Sequence, residues 1–166
     1  MQQWWQYYAV VAGASATLMG LLFVSVSLNA ARLAADEPGG PRRLAEQAFR
    51  SYVTIILVSL LALFPSLSLT DFGRASLAIT ASAAILSIYH LHAFIGGGAS
   101  ERKNLLPPMS RRLISAVIGL GLLIYAEFQM GILGLDARDT LAAGTLVLLS
   151  SAALTSWDLL LKLGTK

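Results

Sequence analysis

Five apolar runs, almost free of charge and divided by short charged links, take up most of this chain and constrain it more than any other feature. Residues 9–28 and 51–70 hold no Asp, Glu, Lys, Arg or His, and each is 20 residues long. That is the length at which an α-helix crosses roughly 30 Å of hydrocarbon. Residues 75–99 and 113–135 are also long enough, and 140–157 make a fifth run of 18, extended by 159–163 with Asp158 at the interface. The pattern predicts an all-α integral membrane protein: a bundle of five transmembrane helices forming a single domain over residues 1–166. The predicted spans are about 9–30, 49–70, 74–96, 112–134 and 140–162.

Composition narrows the classes further. Hydrophobic residues are 56% and charged residues 13%, about half the usual charged share. A water-facing shell cannot be assembled from so few charges, so the bilayer must act as solvent. The absence of cysteine removes disulfides, thiolate metal sites and thiol catalysis. A pI near 9.5 is a common mark of nucleic-acid binding, but here the basic residues flank apolar runs, where orientation and anionic headgroups account for them. No nucleic acid is expected as a partner; the expected partners are the lipid bilayer, a second copy of the chain and another membrane protein.

The flanks set the orientation. Met1 to Tyr8 contain no Lys or Arg, and the first positive side chain, Arg32, follows the first run. That order fits a retained helix with a translocated amino terminus rather than a signal peptide. Of twelve Lys and Arg, only Arg74 and Arg138 fall on the side of the amino terminus. The positive-inside rule therefore puts the amino terminus outside and the carboxyl terminus in the cytoplasm. Trp4, Trp5, Tyr7, Tyr8 and Phe72 are expected as outer aromatic anchors, and Phe49, Tyr52, Tyr89, Phe94 and Trp157 as inner ones.

Turn signals punctuate the links. Residues 36–41, Asp-Glu-Pro-Gly-Gly-Pro, form a break; Pro107-Pro108 with Ser110 predicts the end of another link and a cap for the fourth helix. Thr70 or Asp71, and Asp136 or Asp139, are expected caps of the third and fifth helices. Gly96-Gly97-Gly98 reads as a flexible helix end, because no Gly-Lys-Ser or Gly-Lys-Thr follows. There is no internal repeat, and five spans do not divide into two inverted halves.

Small residues mark close helix contacts in lipid, where hydrophobic burial cannot drive association. Ala12, Ala16 and Gly20 are spaced by four, as are Ala9, Gly13 and Thr17, which predicts a central first helix packed within the chain or against a second copy. Ser76, Thr80 and Ala84 form a similar stripe on the third helix, and Gly119 and Gly121 lighten the fourth.

Ionisable groups within spans cost a few kcal/mol each and so point to function. Glu127, with Gln129 beside it, lies in the outer half of the fourth span. It reads either as an interhelical clasp or as a permeation site for an ion, proton or substrate. A second polar layer is predicted at the cytoplasmic ends: Asn29 and Arg32, Glu46 and Arg50, His90 and His92, and Asp158. Glu46 with Arg50, and Asp158 with Lys162, have the i, i+4 spacing of helix ion pairs. His90 and His92 are two apart and point to nearly opposite faces, so no metal site is expected, although either can act as a cytoplasmic pH sensor. No serine lies in G-x-S-x-G, so no catalytic residue is assigned, and no cofactor is expected.

Residues 5–8, Trp-Gln-Tyr-Tyr, followed by 11–16, Val-Ala-Gly-Ala-Ser-Ala, then 20–24, Gly-Leu-Leu-Phe-Val, and 27–29, Ser-Leu-Asn, resemble the opening of a family of small bacterial five-span proteins. Many of these are labelled modulators of a membrane-anchored AAA protease. The resemblance continues in the five-span layout and in Trp157 followed by Leu159, Leu160 and Leu161. It implies a bacterial plasma-membrane protein, and it supplies no catalytic residue and no role for Glu127; the plentiful packing motifs and scarce chemical ones predict a non-enzymatic protein acting through helix–helix association. Five spans in this length are also similar to the tryptophan-rich sensory proteins, which bind porphyrins and sterols. With three Trp, two of them before the first span, that family's aromatic pocket is not recognisable here, and hydrophobic-ligand binding stands as a minor alternative.

Overall fold

The computed structural model describes residues 2–34, 41–95 and 99–164; the side chains described exclude those of 2, 3, 32, 34, 90–113 and 162–164. Six α-helices run in the order α1 (Gln2–Leu28), α2 (Ala30–Ala34), α3 (Pro41–Ala62), α4 (Leu69–Ile95), α5 (Ala99–Phe128) and α6 (Arg138–Gly164), with no strand among the described residues. A π-helical turn, Gln129–Leu133, extends α5. Among the described residues, five segments are long and apolar enough to cross a membrane: Trp4–Leu28, Pro41–Ala62, Leu69–Tyr89, Ile114–Leu133 and Arg138–Leu161.

The second of these sits about eight residues earlier than the apolar run suggests. Pro41 opens α3 at the position where a missing N–H costs nothing. The helix then stops at Ala62, where Leu63 and Phe64 donate to Leu60 and Leu61 in tightened final turns. Pro65 has no N–H and disfavours helical geometry at Phe64, so the apolar sequence continues while the helix does not. The cap of α4 is Ser68, not Thr70 or Asp71: its hydroxyl accepts from Asp71 N at 3.1 Å and donates to Asp71 Oδ2 at 2.6 Å. At α6, Asp136 Oδ1 accepts from Arg138 N at 3.3 Å.

A second boundary also differs. The helix α5 is unbroken through Pro107-Pro108, where the sequence suggested a link. A proline removes its own donor and bends the helix, and a long helix retains the rest of its ladder. The expected breaks at 36–40 and 96–98 lie outside the described residues.

Within the bundle, α3 packs on α1, α4 and α6, while α6 packs on α5 and α3 and only lightly on α1. The helix α1 is therefore at the edge, not the centre: 28% of its apolar window is buried against 44% for α3. The cause is periodicity. Its buried seam runs by sevens through Tyr8, Ser15 and Leu22, joined by Val11 and Ser25. A row spaced by four advances around a 3.6-residue helix, so Ala12 is buried while Ala16 and Gly20 have rotated off the seam and are exposed.

Two core clusters fill the bundle. One, at the end carrying the amino terminus, includes Tyr8, Ile55, Val58, Phe72, Leu123, Met130, Leu141 and Leu148. The other includes Leu22, Leu33, Leu44, Tyr52, Ala152 and Leu159. Several expected interface aromatics thus belong to the core: Tyr8 and Phe72 are buried, and so is Tyr52, whose hydroxyl pairs with Ser156 Oγ at 3.2 Å. Trp5, Tyr89, Phe49 and Trp157 are exposed.

Candidate functional site: a buried carboxyl between two helices

The first half of α4 and the last turns of α5 are held together at unusually short range. A Cβ built on Gly73 would lie 2.3 Å from Gly131 N, so only glycine allows the two backbones to meet. The π-helical turn shifts the hydrogen-bond ladder at this point, and Gly131 O accepts from Arg74 Nε at 3.0 Å. Gly134, at φ 65°, closes the turn in the left-handed region that glycine adopts at little cost, its N–H bonding Gln129 O.

One turn below the glycine contact lies Glu127, which is fully buried. Its Oε1 accepts from Thr80 Oγ1 at 2.9 Å, and its Oε2 is buried without a hydrogen-bond partner. Ser76, one turn before Thr80 on the same face of α4, is also fully buried, and its hydroxyl donates to Phe72 O at 2.8 Å. The Ser76 and Thr80 spacing, read from sequence as a packing stripe, is therefore also the polar surface that meets the carboxyl. The partner was not identifiable in advance because the two residues are 47 positions apart.

Other polar groups line the same half of the bundle. Tyr7 donates to Ala142 O at 2.9 Å and pairs with Thr145 Oγ1 at 2.7 Å, which ties α1 to α6. Tyr8 OH, Ser15 Oγ and Ser59 Oγ are buried without partners. Gln129, expected beside Glu127, is partly buried, and its backbone carbonyl serves the turn by accepting from Leu135 N at 3.1 Å.

In the second predicted layer, Asn29, Glu46 and Arg50 make local contacts. Asn29 Nδ2 donates to Ser25 O within its own helix end. Glu46 pairs with Arg42 at 3.1 Å and not with Arg50, whose Nε instead donates to the Glu46 backbone carbonyl at 3.3 Å. Both arrangements use the i, i+4 spacing, and the exposed Arg42 reaches the carboxylate without crossing the packed face. Asp158 is half-buried beside the buried Leu159. His90 and His92 lie near the end of α4, and their side chains, with those of Arg32 and Lys162, lie outside the described residues. Among the described residues, no three His, Cys, Asp or Glu side chains gather into a metal-binding group.

On the first helix, Ala12 is buried, whereas Gly13, Ala16 and Gly20 are exposed, and a Cβ at either glycine would meet nothing within 4 Å. Close glycine packing within the chain occurs elsewhere: an added Cβ would lie 3.0 Å from Leu148 N at Gly119 and 3.1 Å from Leu123 N at Gly144. Comparison with protein-family models, curated proteins and solved structures finds no match, so no residue acquires a role from a relative.

Proposed function

We propose that this chain is a non-enzymatic multi-pass protein of the bacterial plasma membrane that acts through helix–helix association, as a homo-oligomer, and regulates another membrane complex. The membrane setting is supported by an inside-out distribution of polarity. Glu127, Thr80, Ser76, Thr145 and Thr155 are buried while Val10, Phe23, Leu21 and Ile85 are exposed, an arrangement that suits hydrocarbon as solvent. The loop asymmetry of Lys and Arg supports an external amino terminus and a cytoplasmic carboxyl terminus. The resemblance of residues 5–29 to the family labelled as protease modulators suggests the kind of complex regulated.

The observation that carries the association reading is the outward face of α1, where Gly13, Ala16 and Gly20 leave open space. Small residues let backbones approach closely in lipid, and here the chain's own helices do not use them. The test is subunit counting in detergent and in lipid for Ala16→Leu and Gly20→Leu. Because the positions are exposed within one chain, the variants keep their helix content while assembly is lost. A monomeric parent, or an unchanged subunit count in both variants, overturns the reading.

A second reading, a small homo-oligomeric channel or transporter, draws on one observation: Glu127 Oε2 is buried without a partner. Under it, Glu127→Gln changes ion or proton flux in reconstituted vesicles without altering assembly. Flux indistinguishable from empty vesicles, across several ions and pH values, removes it.

A further inference from the structure

The end of the bundle that carries the amino terminus holds a half-open cleft of about 370 Å³, walled by Trp4, Tyr8, Phe64, Phe72, Met130 and Arg138 among others. It lies where α1, the link from α3 to α4 and the start of α6 meet. The volume falls in the lower part of the range of small-molecule pockets, about 300–1,000 Å³. Aromatic and aliphatic side chains make most of the wall, which suits a hydrocarbon chain.

The one charged side chain on the described wall of this cleft is Arg138. Tyr8 also contributes to the wall, but its hydroxyl has less than 1 Å² of accessible surface and is closed to the cleft. Arg138 is partly exposed there. Its Nε meets Asp136 Oδ1 at 3.4 Å, and that carboxylate is 61% exposed, so the pair is long and screened by solvent. A guanidinium has five N–H groups in a fork that matches carboxylate and phosphate oxygens, and this contact engages one of them. Glu127 is committed to Thr80 and does not line the cleft.

A cation would face Arg138, and a plain hydrocarbon would leave its free N–H groups unanswered. We propose that the cleft binds an anionic amphiphile. Its carboxylate or phosphate oxygens accept from the Arg138 guanidinium, and its acyl chain lies along Trp4, Phe64, Phe72 and Met130.

The chain carries its own reporters. Of three Trp, two line the cleft and the third, Trp157, lies on the last turns of α6, so Trp157→Phe leaves emission from Trp4 and Trp5 alone. In detergent, a bromine-labelled fatty acid quenches this emission saturably, and its uncharged methyl ester does not saturate over the same range. Arg138→Gln raises the half-saturating concentration about tenfold, the effect of one lost charge-assisted contact. Tyr8→Phe, whose lost oxygen is closed to the cleft, leaves it near the parent value. Displacement by unlabelled phosphatidylglycerol but not by phosphatidylcholine identifies a membrane lipid as the source of the anion, and displacement by neither identifies the free acid. Quenching that is linear and equal for acid and ester overturns the proposal, as does quenching unchanged in Arg138→Gln at retained helix content.

Discussion

Thr80 donates a 2.9 Å hydrogen bond to Glu127 across the contact between α4 and α5, in a region where neither residue is exposed. In hydrocarbon such a bond is worth about 0.6 kcal/mol on average and up to about 1.7 kcal/mol. Thr80→Val is expected to lower unfolding stability in detergent by roughly that amount. Glu127→Gln retains an acceptor and stays close to the parent, while Glu127→Leu leaves Thr80 unpaired and unfolds more readily. Equal losses for Gln and Leu, measured by thermal or denaturant unfolding, would show that the hydrogen bond is not what the site contributes.

Gly73→Ala should be far more damaging than its single methyl suggests. The added carbon would lie 2.3 Å from backbone N of Gly131, and no side-chain rotation can relieve that. Overpacking of this kind costs about 1–3 kcal/mol or more, and separating the helices also breaks the bond from Arg74 to Gly131 O. The control is Gly121→Ala, where the methyl meets nothing within 4 Å and helix propensity improves by up to about 1 kcal/mol. The expected order of unfolding temperatures is Gly121→Ala at or above the parent, and Gly73→Ala well below.

Ser68→Ala removes the cap of α4 and is expected to cost about 0.5–2 kcal/mol. Hydrogen exchange at the amides of the first turn, Asp71 above all, should rise in this variant and remain near the parent in Thr70→Ala. The opposite order would mean that the exposed Ser68 to Asp71 pairing does not hold the helix start.

Topology can be mapped without background, since the chain has no cysteine. In intact cells, Ser66→Cys and Asp136→Cys should react with an impermeant thiol reagent, both positions being exposed at the amino-terminal end of the bundle. Cysteines at Gly40 and Ser100 should be protected. The reversed pattern would invert the orientation read from the basic residues.

The number of candidate spans was legible because apolar run length is a direct requirement of crossing hydrocarbon. The start and end of α3 were not, because apolarity reports environment while helix ends report backbone donors. Pro65 and the Ser68-to-Asp71 spacing carried the correct boundary inside an uninterrupted apolar stretch. The small-residue row on α1 misled for a different reason: spacing by four marks neighbouring positions on a helix, but packing along its length follows spacing by seven. Glu127 stood out as a costly residue in an apolar run, yet its partner Thr80 did not, since pairing across 47 positions depends on how α4 and α5 fold back together. The π-helical turn at Gln129–Leu133 had no evident sequence signal beyond Gly131 and Gly134.

The Gly73 and Gly131 approach, the Arg74 bond and the Thr80 bond lie at successive levels along the same two helices. A slide of one helical turn, about 5.4 Å, would bring side chains into a gap sized for bare backbone and would undo both bonds at once. Mechanically, α4 and the end of α5 form a single strut. Any larger motion of this protein must then be a rotation or displacement of its other helices relative to that strut, with α1, joined to α6 by the Tyr7 hydroxyl and otherwise resting mainly on α3, as the part freest to swing.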